Sequence, residues 1–415
     1  MVLNIVWIGF FLASFVVALV QLAQGDLSVF SRMLTGLFDA AHTGFDIALG
    51  LVGVMSLWLG VMKIGERAGM IQLFARALAP LFVRIYPEVP RGHPAGGAIV
   101  MNLSANMLGL DNAATPLGLK AMKELQEINP QKDTASNAMI MFLVLNTAGM
   151  TLIPTSVIAM RQAIALEQHV ANFNAADIFL PTLISTFVSF VAGLVLIALI
   201  QRVRLFSLPV LGLFGGFAAL MAGVFGWLHS YPPEQMSSII GALGSGVILT
   251  IVMLFIGAGA LKRINVYEAF VEGAKEGFGT AIGIVPYLIA MLVAISVFRT
   301  TGCLDVIVHG VAAVVGALGL PTDFVPALPV GLMKPLSGSG ARGLMVDVLK
   351  HYGVNSFQGQ LAAIIQGSTE TTFYVLAVYF GSVNIKRTRY ALAAGLFVDL
   401  VGVVGAICVG YWFFK

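Results

Sequence analysis

The sequence predicts an all-α polytopic membrane protein that contains an inverted repeat. The first indication is composition: of the 415 residues, 58% are hydrophobic and only 10% are charged, and the mean hydropathy is +0.93. These values lie far outside those of soluble globular chains. The other two indications are a series of apolar stretches long enough to cross a bilayer and a pattern that recurs in the two halves of the chain.

Nine apolar stretches have the roughly 20 residues that a helix needs to cross a bilayer. They lie at residues 3–23, 44–63, 134–160, 177–201, 207–228, 237–260, 278–298, 356–381 and 390–413. The first of them, "LNIVWIGFFLASFVVALVQLA", is too long for the core of a signal peptide and is not followed by a convincing cleavage site. We therefore expect it to be a retained helix.

Two further apolar stretches, 94–127 and 324–350, are interrupted near their middles by "GLDNAATP" and "KPLSGSGARG". Each half of such a stretch is too short to cross a bilayer, which predicts two re-entrant hairpins with unwound backbone at their tips. Three weakly apolar or amphipathic segments, near 27–42, 67–83 and 303–318, are expected to lie at the membrane interface or to pack against the bundle.

The distribution of basic residues predicts the orientation. With the amino terminus in the cytoplasm, five loops that hold 16 of the 23 lysines and arginines lie on the cytoplasmic side, as the positive-inside rule favours. These loops are 63–93, 117–133, 202–206, 262–276 and 386–389. The carboxyl terminus would then lie outside.

The repeat is visible in the residues themselves. "TGFDIALGLVG" from Thr43 matches "EGFGTAIGIVP" from Glu276, and the same register later pairs Gly69 with Gly302. With small shifts, the interrupted segments of the two halves also coincide. The predicted directions of the matching helices are opposite, so the halves are inverted. The chain is predicted to divide into a first repeat at 1–206, a linking span at 207–236 and a second repeat at 237–415.

Each half contributes a hairpin followed by a span that polar residues interrupt. Paired interruptions of this kind indicate a transport site at the bilayer midplane, and amides and hydroxyls suit a small polar solute. We expect the hairpin tips and the breaks at Gly149 and Gly367 to meet around one polar cavity. The alternative is ordinary packing, because small hydroxyl residues are common between membrane helices. The candidate solute-binding residues are Asn102, Ser104, Asn106, Asp111, Asn112, Thr115, Asn146, Thr147 and Thr151 in the first half, and Lys334, Ser337, Ser339, Arg342, Gln366, Ser368, Thr369, Glu370 and Thr371 in the second.

Four of these candidates are ionisable, and a charge near the bilayer centre costs about 2.5 to 3.5 kcal/mol on insertion scales. One interpretation is that the four charges pair with one another and fix the hairpin tips. The other is that Asp111 or Glu370 carries a coupling proton or sodium ion while Lys334 or Arg342 holds an anionic group. No cofactor or metal site is expected apart from this coupling ion.

Catalytic motifs are missing from the sequence. It contains no HExxH, no GxSxG and no P-loop, and its two cysteines lack metal-ligand spacing. We therefore predict that the protein is not an enzyme. The expected partners are the lipid bilayer and a small polar solute, with no nucleic acid.

Four segments carry a resemblance to known proteins. "NLSANMLGLDNAATPLGLKAMKEL" and "NAMIMFLVLNTAGMTLIPTSVIAMR" resemble bacterial spore maturation protein A, while "PVGLMKPLSGSGARGLM" and "IIQGSTETTFYVLAVYFGSV" resemble spore maturation protein B. The chain looks like a fusion of the two, both of which belong to the nucleoside-recognition Gate-domain group.

The resemblance implies a transporter-like fold with paired hairpins in a bacterial cytoplasmic (inner) membrane, and we also expect a homo-oligomer. The leading hypothesis is a secondary transporter or channel-like carrier of a small polar or anionic solute, with nucleosides as the family default. The alternative is a non-transporting membrane scaffold in envelope, peptidoglycan or spore maturation. A shared fold alone does not identify the substrate.

Overall fold

A computed structural model describes residues 2–171, 173–203, 205, 208–228, 230–231 and 233–415. Within these residues the fold is helical and contains no β-strand. The first half holds α1 (Val2–Ala23), α2 (Val29–Arg67), α3 (Met70–Ile85), α4 (Pro94–Met107), α5 (Asp111–Glu127), α6 (Asn137–Ala148), α7 (Thr155–Glu167) and α8 (Phe179–Gln201). After α9 (Leu208–Leu228) come α10 (Pro233–Leu261), α11 (Val266–Thr300), α12 (Cys303–Ala317), α13 (Leu328–Met333), α14 (Gly338–Tyr352), α15 (Phe357–Ser368), α16 (Thr372–Ser382) and α17 (Ala391–Phe414).

Eight segments of the described chain are long and apolar enough to cross a membrane, and they coincide with eight of the nine predicted spans. They are Asn4–Ala23, Val29–Arg67, Ala175–Gln201, Val210–Leu228, Ser238–Leu261, Val266–Thr300, Phe357–Ser382 and Ala391–Phe414. The ninth prediction, 134–160, corresponds instead to the two short helices α6 and α7.

Backbone conformation explains the interruption between α6 and α7. Gly149 ends α6 with φ +50°, a left-handed conformation that other residues adopt only with strain. We call residues 149–154 the first break. The second break, residues 369–371, separates α15 from α16. The prediction that it lies at Gly367 is wrong by two residues, because the helix continues to Ser368 and the backbone becomes extended at Thr369.

Both predicted hairpins are present as packed pairs of helices with short tips. The first hairpin is α4 and α5, joined through residues 108–110, and the second is α13 and α14, joined through residues 334–337. The prediction of longer unwound loops is wrong, since residues 111–116 and 338–343 are helical. In the second hairpin the Ser337 hydroxyl accepts a hydrogen bond from the Gly340 N–H, which caps α14 and lets the helix begin at Gly338.

The weakly apolar segments have two different outcomes. Segment 27–42 is the beginning of the 39-residue helix α2, and the Ser296 hydroxyl of α11 donates to the Gly36 carbonyl there, so this segment packs against the bundle. The other two segments are the separate helices α3 and α12. Each begins after a glycine with φ +78°, and these glycines, Gly69 and Gly302, are a pair in the predicted repeat register.

Helices α2 and α11 form a long antiparallel pair with close backbone contact. A Cβ atom on Gly277 would lie 2.5 Å from the Met55 carbonyl oxygen, and one on Gly44 would lie 2.9 Å from the side chain of Ile289. Only a residue without a side chain permits this approach, as is common where membrane helices cross. Gly44 and Gly277 are a pair in the predicted repeat register, so each contact has a counterpart on the other helix.

Other helix contacts are reciprocal in the same way. Helix α1 packs on α11 while α10 packs on α2, α6 packs on α17 while α15 packs on α8, and α5 packs on α16 while α14 packs on α7. The order of elements is also the same in both halves. A long helix, a short helix, a hairpin, an interrupted pair and a final long helix follow one another twice.

Contacts among the basic loops place them at one end of the bundle. The N–H groups of Lys386 and Arg387 donate to the Asp133 carbonyl at 2.9 and 3.0 Å, and the Asn137 amide donates to Glu88 at 2.7 Å. A hydrogen bond from the Thr134 hydroxyl, with the charge of Arg387, holds the pKa of the Asp133 carboxyl below its usual value. The two halves are thus joined at this end by backbone bonds and an exposed ion pair.

A buried ion pair joins the halves at the opposite end. Arg161 of α7 is fully buried and bonds to Asp177, which precedes α8. The Arg161 guanidinium also donates to the Val354 carbonyl at 3.0 Å, and the Gln360 amide donates to Asp177 at 3.0 Å. Val354 and Gln360 of the second half therefore form hydrogen bonds to atoms of Arg161 and Asp177 that the ion pair alone would not satisfy.

We expect Asp177→Asn to destabilise the protein by about 3 to 5 kcal/mol, because it leaves the Arg161 charge buried without its carboxylate. Asp133→Asn is the matched control, since it removes a carboxylate from the exposed pair with Arg387 and should leave the melting temperature unchanged. Thermal unfolding in detergent measures both variants. Equal melting temperatures of the two variants would contradict this role of the buried pair.

Candidate functional site

The two breaks lie against each other in the centre of the bundle. The Glu370 N–H of the second break donates to the Thr147 carbonyl at 2.8 Å, at the end of α6. A Cβ atom on Gly149 would lie 2.8 Å from Cγ of Glu370, so the backbones meet closely at this glycine. The N–H group freed at the second break and the carbonyl group freed at the end of α6 are thus each other's hydrogen-bond partners.

Each hairpin is bonded, at or next to its tip, to the interrupted pair of its own half. In the first half the Leu152 N–H donates to the Met107 carbonyl at 2.7 Å. In the second half the Phe373 N–H donates to the Pro335 carbonyl at 3.1 Å. Four stretches of irregular backbone therefore meet in one region.

A polar cleft of about 60 Å³ lies where these stretches meet. In the second half, the Lys334 ammonium donates to the Gln366 carbonyl at 2.8 Å and is buried, while Arg342 of α14 is half-buried and Glu370 is exposed. Arg342 and Glu370, both of which are described, form no ion pair with each other. The polar residues that line the cleft are Thr151, Thr155, Ser156, Lys334, Arg342, Gln366, Thr369 and Glu370.

Six of the predicted binding residues line this cleft: Thr151, Lys334, Arg342, Gln366, Thr369 and Glu370. Thr147, Ser337, Ser339 and Thr371 lie directly beside them at the breaks and at the start of α14. The side chains of Asp111 and Asn112 lie outside the described part of the chain, so their predicted role stays a prediction. The others, which do not line the cleft, are Asn102, Ser104, Asn106, Thr115, Asn146 and Ser368.

The polar residues of the first hairpin hold helices together. The Asn102 amide donates to the Ala114 carbonyl at 2.8 Å and so joins α4 to α5. The Asn106 amide donates to the Asn146 carbonyl oxygen at 2.7 Å and joins α4 to α6. Ser104 donates to Val100 within its own helix. The contacts of Asn102, Ser104 and Asn106 therefore fit the alternative stated above, in which small polar residues pack membrane helices together.

Several buried polar atoms around the breaks have no hydrogen-bond partner within the described protein. They are Thr147 Oγ1, Thr182 Oγ1, Gln366 Oε1 and Asp399 Oδ1. Buried polar groups are nearly always paired, and unpaired ones mark sites for water, ions or polar ligands. These atoms leave unused hydrogen-bonding capacity around the breaks.

The sequence prediction did not include two groups of ionisable residues. Asp399 lies inside the apolar helix α17, and its carboxylate accepts a hydrogen bond from the Thr372 hydroxyl. The sequence does contain a feature that indicates this site: Asp399 is a single acidic residue within a 24-residue apolar span. The second group is Lys63 of α2 with Glu66 and Glu276, whose carboxylates lie 3.2 and 3.1 Å from its ammonium.

A second cleft of about 70 Å³ lies beside the first. Lys63, Glu66 and Glu276 are among its lining residues, and Thr155 and Ser156 line both clefts. We call these two neighbouring clefts, which lie between the lysine cluster and the meeting point of the breaks, the polar track.

This architecture defines a class: a helical membrane protein whose two hairpins and two interrupted helices converge on a polar cleft. The sequence profile described as nucleoside recognition, the Gate domain, matches residues 48–163 and 281–386, which together are more than half of the chain. The chain belongs to this family. Each matched segment contains one hairpin and one interrupted pair.

Two relatives come from Bacillus subtilis (strain 168). Spore maturation protein B is 46% identical over 171 residues, which cover 41% of this chain and 94% of the relative. Spore maturation protein A is 36% identical over 193 residues, which cover 46% of this chain and 92% of the relative. The resemblance noted in the sequence is thereby confirmed. No solved structure matches the chain.

We expect Gly149→Ala to destabilise the site by more than the roughly 1 to 2 kcal/mol of a left-handed backbone alone, because its new Cβ would meet the Glu370 side chain. Gly302→Ala is the matched control, with φ +78° and no atom within 4 Å of the place its new Cβ would take. The free energies of unfolding should differ between the two variants. Adding Glu370→Ala to Gly149→Ala should recover part of the loss, and equal losses in all cases would refute the contact.

Proposed function

We propose that the protein is a secondary-transporter-like membrane protein that moves a small polar or anionic solute, nucleoside-like by family, through the cleft between two inverted repeats. The observation that carries the proposal is the convergence of both breaks and both hairpin tips on one cleft that contains a lysine and an arginine. Irregular backbone at membrane depth occurs where protein or a water-filled path surrounds it.

The reciprocal helix contacts support an inverted repeat. Antiparallel packing of α2 on α11, with equivalent glycines at the two crossing points, is what a two-fold axis in the membrane plane would produce. The repeats would be residues 1–206 and 237–415, linked through 207–236, and the hairpins would be re-entrant. Such repeats allow a fixed site to open to either side in turn.

The chemistry of the cleft favours a solute with an anionic or strongly polar group. Lys334 and Arg342 supply positive charge, and the N-terminal turn of α14 adds the partial positive charge of a helix dipole. The side-chain oxygen of Gln366, which lines the cleft and has no hydrogen bond, supplies an additional polar partner. Glu370, which is exposed beside these cations, would compete with the solute for them.

In this proposal the structure corresponds to a closed conformation. Its volume of about 60 Å³ is well below the roughly 300 to 1,000 Å³ of sites for drug-sized ligands. A nucleoside-sized solute would therefore enter only after the hairpins move away from the breaks. The adjoining polar track past Lys63 would be the route from the cytoplasmic end.

The orientation belongs to the same proposal. The five basic loops, which meet at one end of the bundle, would face the cytoplasm of a bacterial cell with the protein in the inner membrane. The amino terminus would then be cytoplasmic, with α6 and α7 together forming a further crossing. Association into a homo-oligomer is part of this proposal.

A non-transporting scaffold is the second candidate. The names of both relatives refer to spore maturation, and the cleft is small and closed by backbone hydrogen bonds. In this interpretation the hairpins would stay closed, and the outer surface of the bundle would organise envelope proteins. The two candidate functions differ in whether water reaches the cleft: a transporter requires it, whereas a closed scaffold does not.

We expect Glu370→Gln and Arg342→Ala each to abolish uptake of labelled nucleosides into vesicles reconstituted with the protein, because each removes a charge from the cleft. Glu127→Gln and Arg76→Ala change residues outside the cleft and should leave uptake unchanged. Normal uptake by both cleft variants would exclude this cleft as the route. A wild-type protein that moves no nucleoside of the panel would favour the scaffold.

Cysteine labelling tests water access directly. In a chain whose Cys303 and Cys408 are replaced by serine, Ser156→Cys should react with a water-soluble thiol reagent, since Ser156 lines both clefts. Ser104→Cys is a buried control that should stay unmodified. Equal protection of the two cysteines under all conditions would support a permanently closed bundle.

A further inference from the structure

The buried carboxyl of Asp399 has no role in the proposed solute site. It lies in the middle of α17, is only 2% exposed and does not line either cleft. Placing a carboxyl group at such a position is costly, and such groups usually have a function.

Asp399 packs directly behind the second break. Its carboxylate accepts a hydrogen bond from Thr372, the first residue of α16. Two glycines of α17 bring the backbone close to the same residues: a Cβ atom on Gly395 would lie 2.7 Å from the Thr372 methyl group, and one on Gly402 would lie 2.5 Å from that of Thr369. Thr369 in turn lines the cleft. A change at Asp399 would therefore act on the residues that form one wall of the cleft.

Few charges face this carboxyl. Lys334 and Glu370 act on it electrostatically, one with the opposite and one with the same sign. The helices α6, α8, α13, α15 and α16, which pack on α17, contain no charged residue, and α10, which also packs on it, contains one, Glu234, at its N-terminal end. On α8 the facing residues are the serines Ser185 and Ser189, which contact α17 near Gly402 and Gly405.

The hydrogen bonds of Asp399 fit a neutral acid better than a carboxylate. An ionised carboxylate accepts at both oxygens, but here its neighbouring donors are only two neutral hydroxyls: Thr372 donates to Oδ2 and Thr369 lies beside the carboxyl, while Oδ1 is buried without a hydrogen bond. In an apolar interior the unpaired charged oxygen would be strongly unfavourable. A proton on Oδ1 removes that charge and leaves the hydrogen bond from Thr372 to Oδ2 in place.

We propose that Asp399 is a proton-binding site coupled to the cleft, an inference that rests on the proposed transport function. In the binding step a proton from water joins the carboxylate at Oδ1 and gives the carboxylic acid, and in the release step the same O–H bond breaks and the proton returns to water. Binding stabilises the second break in the closed arrangement. Release leaves a charge that attracts Lys334, which lies at the tip of the second hairpin and donates to Gln366. Solute and proton are thereby linked through one lysine.

Infrared difference spectroscopy on the full protein in vesicles tests proton binding without any solute. Raising the pH should bleach a carboxylic-acid C=O band, which is absent in Asp399→Asn and in Asp399→Ser but present in Glu370→Gln. Such a band in the wild type that disappears with both Asp399 variants supports the proposal. If the wild type shows no such band at any pH at which it stays folded, or if the band survives both substitutions, the proposal is wrong.

A transport measurement tests coupling. Vesicles with an imposed pH gradient should accumulate labelled nucleosides, and Asp399→Asn should lose this gradient-driven accumulation while Arg76→Ala retains it. Accumulation by Asp399→Asn equal to that of the wild type would overturn coupling through Asp399. Accumulation that follows a sodium gradient and ignores pH would overturn it as well. If the wild type moves no nucleoside, the proposed function fails, and the infrared result still decides whether Asp399 binds a proton.

Discussion

The arrangement of this protein depends on one constraint: backbone N–H and C=O groups that leave a helix inside an apolar bundle need partners from the protein. The two breaks and two hairpin tips meet this need by bonding to one another, as in the bonds from Glu370 to Thr147 and from Leu152 to Met107. Neither break would be satisfied alone. The convergence of the four stretches is therefore a structural requirement as well as the origin of the cleft, and any opening of the cleft must exchange these bonds for bonds to water or solute.

The remaining structure divides into rigid and adjustable parts. The long pair α2 and α11 is in backbone contact at Gly277 and Gly44, and the Arg161–Asp177 pair is buried among groups of both halves. These contacts leave little room for sliding. The hairpin tips border polar clefts and are held there by several hydrogen bonds, such as those between Leu152 and Met107, Asn106 and Asn146, and Lys334 and Gln366. If the cleft opens as proposed, these are the contacts that must be exchanged while the α2–α11 pair stays in place.

Hydropathy predicted most of the fold because an apolar run of membrane length has few alternatives to a spanning helix. It overestimated the unwound loops, since the cap at Ser337 allows a glycine-rich stretch to begin a helix. Six predicted residues line the cleft, but Asn102 and Asn106 join helices instead, and a sequence does not distinguish an amide that packs from one that binds. The sequence prediction missed Asp399 for a related reason. It relied on clusters of polar residues, whereas Asp399 is a single carboxyl in an apolar helix, and its partner Thr372 comes from another helix.

The asymmetry between α8 and α17 has a consequence for direction. These helices come last in the order of elements of the two halves and pack on each other, yet α17 contains a buried carboxyl group, whereas α8 contains no charged residue and faces α17 with the hydroxyls of Ser185 and Ser189. Two conformations related by exchanging the halves would have similar shapes and contacts, but in only one of them would the carboxyl accompany the mobile elements. Their energies would differ, and the difference would change with proton concentration on one side. If the two halves exchange conformations as proposed, this one carboxyl, and not the fold, would determine to which side of the membrane the cleft opens at rest.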